Sequence, residues 1–537
     1  MRPLSSLRPL AWLADAGQNN PAEVRYVPGT KFCESEMSLT RPIESAPRSF
    51  LAGNGLKRDA CDHRPANIYL RPTLWLLVSL PLGAAFLSGG VESGTILMAG
   101  LIGALALYKP CSALGASTAF MVYLFVFFQK EPIVRPELPS EFYYWGAGVA
   151  IITLGLGVAR LRLHPEHKGS ARTKHQIRFD RAMFMIFVVS LAASGYGLAR
   201  GNSFIVAARQ LSGCLLLPVY YWLARSFFHT VGDIGRWLHH VSWAVVAGSV
   251  WYVAKLGFIT LSENAYYREQ SPLSFFAGAI GAVLFVELLQ VQRVGERIRN
   301  AAGFAVCVLA VVLMGARFNT GSLAATAIVF AVLRWRKRLL AVCLLGLVLL
   351  AVIIPLGVVK FERLVEDPGV IGQIAFRFSP LELDTDTSYA GRIAQMQTAV
   401  DIIRQHPIFG AGMGAEFSWD PPDFPELFGT GPYIDNGWGF VLIKMGLVGL
   451  TVFLFLIGSF LGYALKGDTG PFQASSPDVQ RCLLALLLYG LFNFTGGPTF
   501  FHFTSSGFLG TALGGLAVLA GTTDRPVGLD GRRNAQS

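Results

Sequence analysis

Apolar runs of roughly 16–24 residues recur along the 537-residue chain, each long enough to cross or nearly cross a hydrocarbon layer about 30 Å thick. A backbone inside lipid has to satisfy its own hydrogen bonds, and continuous runs of this length do so as helices. Only 15% of the residues are charged and 53% are hydrophobic, where soluble chains carry about a quarter charged residues. The expected fold class is therefore all-α: a polytopic helical membrane protein with about 12–14 transmembrane helices and one large loop that contains an amphipathic helix.

The spans fall near 73–90, 93–108, 111–129, 143–160, 182–199, 203–224, 237–260, 273–290, 301–316, 319–334, 339–358, 436–465, 482–495 and 499–520. With a cytoplasmic N-terminus, every second link should be rich in Lys and Arg. Those links read "RLRLHPEHKGSARTKHQIRFDR" (160–181), "RSFFHTVGDIGR" (225–236), "VQRVGERIRN" (291–300) and "RWRKR" (334–338), and the alternate links carry few positive charges. Both termini are thus expected inside. The organisation that follows is a polar, disordered cytoplasmic tail over 1–71, the first part of a transmembrane bundle over 72–358, a large external loop over 359–435, the last spans over 436–520 and a cytoplasmic tail over 521–537. Met37 offers a second start within the tail.

The net charge of +11 is concentrated in the links, which is the signature of topology and not of nucleic-acid binding. No two of the seven cysteines form a CxxC pair, and Cys111, Cys214, Cys307, Cys343 and Cys482 lie in or beside apolar runs as small core residues. No His, Cys and carboxylate set has metal-ligand spacing, and "DTDTS" at 384–388 lacks the Gly and distal Glu of a calcium loop, so neither metal nor cofactor is expected.

Ionisable groups in or beside spans are costly and therefore informative. Arg209 lies about two turns into a span, where snorkelling to the interface is the plain alternative to a function. Arg317 opens a span at an external junction, where positive charge runs against the topological bias. Arg392 opens a helical stretch in the large loop, "GRIAQMQTAVDIIRQHP", whose Ile393, Met396, Val400 and Ile403 form one apolar stripe. That helix suits a membrane surface or the bundle itself. Three outward arginines point to an anionic ligand. After Pro407 comes "GAGMG" at 410–414, which reads as a helix stop before it reads as a phosphate cradle. At the mouth of the span that follows sit Asp435 and Asn436. Both can cap the helix, and Asp435 can also serve as a base.

These residues in this order resemble the signature region of the O-antigen ligase and Wzy-type polysaccharide polymerase superfamily. Members show an Arg opening a loop helix, a P-x-x-G-x-G turn, and a His-Asn or similar pair at the mouth of a span that continues as Gly-x-x-Gly. The matching positions are Arg392, Pro407, Gly410, Gly412, Asp435, Asn436, Gly446 and Gly449, and "GARFNTGS" is similar to the family's short Ser-Arg-Gly junction, which carries over Arg317. The chain departs from the ligases at Asp435, which stands where they carry His.

The resemblance implies a metal-independent glycosyltransferase in the bacterial inner membrane. Its substrate is an undecaprenyl-pyrophosphate-linked oligosaccharide, and it works at the external face. Arg317, Arg392 and Asp435 are the expected catalytic residues, with Arg209, Asn436, Gly410 and Gly412 binding substrate. A repeat-unit polymerase is the first expectation, and its pathway partners would be a flippase and a chain-length regulator. An O-antigen ligase is the alternative, and a flippase or other transporter the second; a transporter more often shows two related halves, which this chain lacks.

Overall fold

The computed structural model describes residues 114–119, 155–157, 172–263, 273–314, 316–335, 387–419, 429–466, 477–503 and 505–523. All of them belong to the compact unit Tyr69–Ser537. The N-terminal tail, most of the four spans expected before residue 161, the span at 339–358, the first part of the large loop and the C-terminal tail lie outside the described residues.

The described chain is all-α apart from one small hairpin. In order it runs α1 (Lys174–Ala199), α2 (Phe204–Phe227), α3 (Val231–Glu263), α4 (Leu273–Gln290), α5 (Val294–Leu313), α6 (Arg317–Trp335), α7 (Thr387–Gln405), β1 (Phe417–Trp419), β2 (Gly429–Gly431), α8 (Gly437–Lys466), α9 (Pro477–Phe494) and α10 (Ser506–Thr523). Among these, α1, α2, α4 and α8 are each long and apolar enough to cross a membrane. The strands pair antiparallel with Ser418 opposite Thr430.

Hydropathy placed most helices well and their ends less well. The expected span 273–290 coincides with α4. The expected start at 182 is corrected to Lys174, because Thr173 and Gln176 form a capping box: the Thr173 hydroxyl accepts the Gln176 N–H at 3.2 Å, and the Gln176 side chain accepts the Thr173 N–H at 3.3 Å. The expected start at 499 is corrected to Ser506. Gly496, Gly497 and Pro498 end α9, and the next residues make turns in which the Ser505 hydroxyl donates to the Thr499 carbonyl at 2.6 Å.

Close packing is achieved by small residues and stacked rings. Phe179 of α1 stacks on Phe460 of α8 at 4.1 Å. Along α10 and α2 the backbones nearly touch, and a Cβ on Gly510 would sit 2.3 Å from the Leu217 carbonyl oxygen. Cys214, Cys307 and Cys482 are buried free thiols, in keeping with a packing role.

The longest apolar helix is broken. At Gly446 of α8 the backbone has φ 64° and ψ −161°, which interrupts the helical hydrogen-bond ladder. The segment after α7 fills the gap. The Leu447 N–H donates to the Pro407 carbonyl at 2.9 Å, the Val448 N–H to that of Ile408 at 3.2 Å, and the Ile443 carbonyl accepts the Ala411 N–H at 2.6 Å. The same segment is pinned to α1, where the Met413 N–H donates to the Ala193 carbonyl at 3.1 Å and Asn202 just beyond the helix donates to the carbonyls of Ala411 and Met413. Part of the large loop is thus built into the bundle, between α1 and α8.

Gly446→Ala places a Cβ 2.1 Å from the Ile408 carbonyl oxygen at a positive φ. Loss of folded protein, or a large fall in its thermal midpoint in detergent, is the expected outcome. Gly458→Ala in the same helix meets no atom within 4 Å and should leave the midpoint unchanged or slightly raised.

Candidate functional site

A cavity of about 640 Å³ opens where α6 and α8 begin, where α9 ends and where α7 passes. Arg317, Arg392, Asp435 and Asn436 line it, so four of the seven expected site residues meet at one place. The remaining wall is largely apolar, with Phe318, Ile393, Met396 and Phe492 prominent.

Each polar group is held by a different element. Arg317 and Phe318 open α6, whose first turn is tied down by Asn319. That amide donates to the Ser274 hydroxyl of α4 at 2.5 Å, and its oxygen accepts from Tyr489 at 3.3 Å and from Asn493, both on α9. Arg392 projects from α7 over the Phe318 ring, its guanidinium carbon 4.8 Å from the ring centroid. Its Nε is 3.3 Å from Asp435 Oδ2. One turn along α7, Gln395 accepts the Asp435 N–H at 3.2 Å. Asn436 Oδ1 accepts the Gly439 N–H at 2.9 Å, which makes Asn436 the N-cap of α8. The two readings of the pair therefore divide: Asn436 caps, and the Asp435 carboxylate is turned to the cavity and to Arg392.

The apolar stripe on α7 does not face the protein core. Ile393, Met396 and Val400 are exposed, while Ala394 and Ala399 are buried and Ile403 packs against the core. Ile393 and Met396 contribute to the cavity wall, so the stripe is divided between the cavity, the exposed surface at Val400 and the core at Ile403.

Arg209 is not among the residues lining the cavity. It sits on α2 near Tyr433, whose phenol is pushed up to about 12 by burial and by Cys214, with Arg209 opposing the rise. The Tyr433 ring lies 6.3 Å from that of His502, whose imidazole is pushed down to about 4 by desolvation and so is neutral at pH 7. Gly410 and Gly412 do not line the cavity either. Their positive φ values of 71° and 84° let the turn press against backbone, with a Cβ at either position 2.5 Å from Ile443 or Gly197 atoms. Among the described residues the turn joins α7 to α1 and α8.

Three residues that sequence reading passed over shape the site. Gln210 is 1% exposed, next to the more conspicuous Arg209. Its amide donates to the Pro432 carbonyl at 2.6 Å and its oxygen accepts the Gly414 N–H at 2.8 Å, so it clamps both flanks of the loop. Lys444 is buried in α8, donates to the Ala415 carbonyl and lies 5.5 Å over the Phe417 ring. A lone lysine in an apolar run was itself the available signal. Phe318, hidden beside Arg317, gave none. Among the described residues no three His, Cys, Asp or Glu side chains gather in a way that could hold a metal ion.

Residues 302–454 match a family model described as O-antigen ligase. The match begins in α5, ends within α8, and contains Arg317, Arg392, Asp435, Asn436 and the sealed helix break, whereas Arg209 and Gln210 precede it. No match to a curated protein was found for the chain.

Gln210→Ala strands two main-chain groups, each costing of order 1–3 kcal/mol when left unpaired. Its thermal midpoint in detergent should fall well below that of Arg209→Ala, which breaks no described main-chain tie.

Proposed function

We propose that this chain, whose residues 302–454 match the O-antigen ligase family model, is a member of the O-antigen ligase and Wzy-type polymerase superfamily and polymerises lipid-linked oligosaccharide repeat units at the periplasmic face of the bacterial inner membrane. The observation that carries this reading is the meeting of Arg317, Arg392 and Asp435 in one cavity whose remaining wall is largely apolar. An isoprenyl pyrophosphate has the same division, with a polyanionic head and a hydrocarbon tail. The Lys- and Arg-rich links at the opposite ends of the helices support a periplasmic setting for this end.

In the proposed reaction the acceptor sugar's hydroxyl oxygen attacks the anomeric carbon of the growing chain. The bond from that carbon to the pyrophosphate oxygen breaks, and undecaprenyl pyrophosphate leaves with the electron pair. The hydroxyl proton goes to Asp435. Arg317 and Arg392 stabilise the charge that builds on the departing phosphate, a task suited to guanidinium because it stays charged and pairs two oxygens at once. Pyrophosphate is a good leaving group when so neutralised, so the step needs no nucleotide. A carboxylate where the ligases carry His favours the polymerase over the ligase, and the tie from the Asp435 N–H to Gln395, with Asp435 lining the cavity, supports a role for it toward an acceptor.

Arg317→Ala and Arg392→Ala should each abolish polymer while the protein still inserts and accumulates, with Lys restoring only part of the activity because a point charge does not reproduce a fork. Normal polymer from either Ala variant removes that residue from the reaction. Asp435→Asn should slow elongation about 10²–10⁴-fold in a reconstituted assay with lipid-linked repeat units, the usual contribution of a general base. Near-normal elongation would leave Asp435 without a proton-transfer role. Transfer to a lipid A-core acceptor, with none between repeat units, would turn the assignment to ligase.

A further inference from the structure

In the empty site Arg392 gives its Nε to Asp435, and a phosphate that takes the same edge of the fork has to take that donor from the carboxylate. The Arg392 guanidinium carbon lies 4.8 Å from the Phe318 ring centroid, and its Nε faces Asp435 Oδ2 at 3.3 Å. Asp435 in turn has its N–H held by Gln395 from the same helix as Arg392, so the carboxylate and the guanidinium are presented to each other by one rigid unit. Both groups line the cavity. The pair is also accessible, with side-chain exposures of 31% and 55%, and exposed ion pairs are weak. A doubly charged phosphate oxygen cluster is a stronger partner for an arginine fork than one solvated carboxylate.

Resting on the donor assignment above, we infer that Asp435 is a stand-in anion for the donor: it holds Arg392 in place in the empty site, and the incoming pyrophosphate displaces it. Displacement does two things at once. It gives Arg392 to the leaving group, and it frees the carboxylate, one hydrogen-bonding partner short, to take the proton of an acceptor hydroxyl. Binding is therefore ordered, donor before acceptor, because the base is occupied until the donor has arrived. An acceptor that enters first meets a carboxylate already neutralised by Arg392. This restrains wasteful attack by water or by an unpaired acceptor on a site that is not yet loaded.

The consequence is a split between binding and turnover at one residue. Full-length protein in lipid nanodiscs is titrated with farnesyl pyrophosphate, a probe with the isoprenyl pyrophosphate group and no sugar. Asp435→Asn removes the competing anion and should bind the probe about two- to fivefold more tightly than the wild type, the range expected for losing an exposed ion pair. Its elongation rate falls all the same. Asp435→Glu keeps the competitor and should bind as weakly as the wild type. Asp401→Asn removes a negative charge from the same helix, where Asp401 pairs with Arg404 at 3.4 Å, and should leave affinity unchanged. A residue that only shaped the loop would weaken binding when changed, never tighten it. Equal or weaker binding by Asp435→Asn, with Arg392→Ala still reducing affinity, overturns the stand-in role and leaves the donor assignment intact. A matching gain in Asp401→Asn also overturns it, since the effect would then be one of general charge. Failure of the wild type to bind the probe overturns the donor assignment itself.

Discussion

Inside a bilayer an unpaired peptide group has no water to turn to, and each one left open costs several kcal/mol. α8 breaks its own ladder at Gly446 and would carry that cost alone. Main-chain groups of Pro407, Ile408 and Ala411 take up the bonds that the helix gives away, so the break and the loop exist only together. Everything at this end of the bundle depends on that exchange. It fixes where the loop lies, where α7 leads into it, and from which direction Asp435 and Asn436 return to start α8.

Four side-chain supports hold the elements around the cavity and the loop beside it. Asn319 ties the start of α6 to α4 and α9, Gln210 ties the loop to α2, Gln395 ties Asp435 to α7, and Asn436 closes the first turn of α8. All four are neutral amides. Under the proposed reading the charged residues would meet a polyanionic substrate, and uncharged side chains that cost less to bury hold the surrounding backbone. Neutral anchors leave the local charge balance to Arg317, Arg392 and Asp435 alone.

Length and hydropathy made most described helices legible, and unexpected positive charge made Arg317 and Arg392 legible. Other features had no such marker. α1 runs eight residues past its apolar part because a Thr-Lys-His-Gln cap, readable in retrospect, outweighs hydropathy at a helix end. The three-residue strands are too short to show a period, and their pairing rests on Trp419 packed over Gly429. Gly446 looks like any glycine of a membrane helix, since sequence carries no sign of φ. Gln210 stood in the shadow of Arg209, although burial and two main-chain bonds give the neutral residue the larger structural part.

The glycine turn also imposes an order of assembly. Its anchor Ser194 on α1 was synthesised 219 residues before its partner Met413, whereas α8 emerges directly afterwards. In a chain made from its N-terminus the turn meets α1 first, and α8 then enters beside acceptors already held in position. A nascent chain that has not reached Gly446 lacks the donors at Leu447 and Val448 that the turn's carbonyls accept. Maturation of the site is thereby coupled to the arrival of the last helices, so the protein gains its working surface late in its own biogenesis.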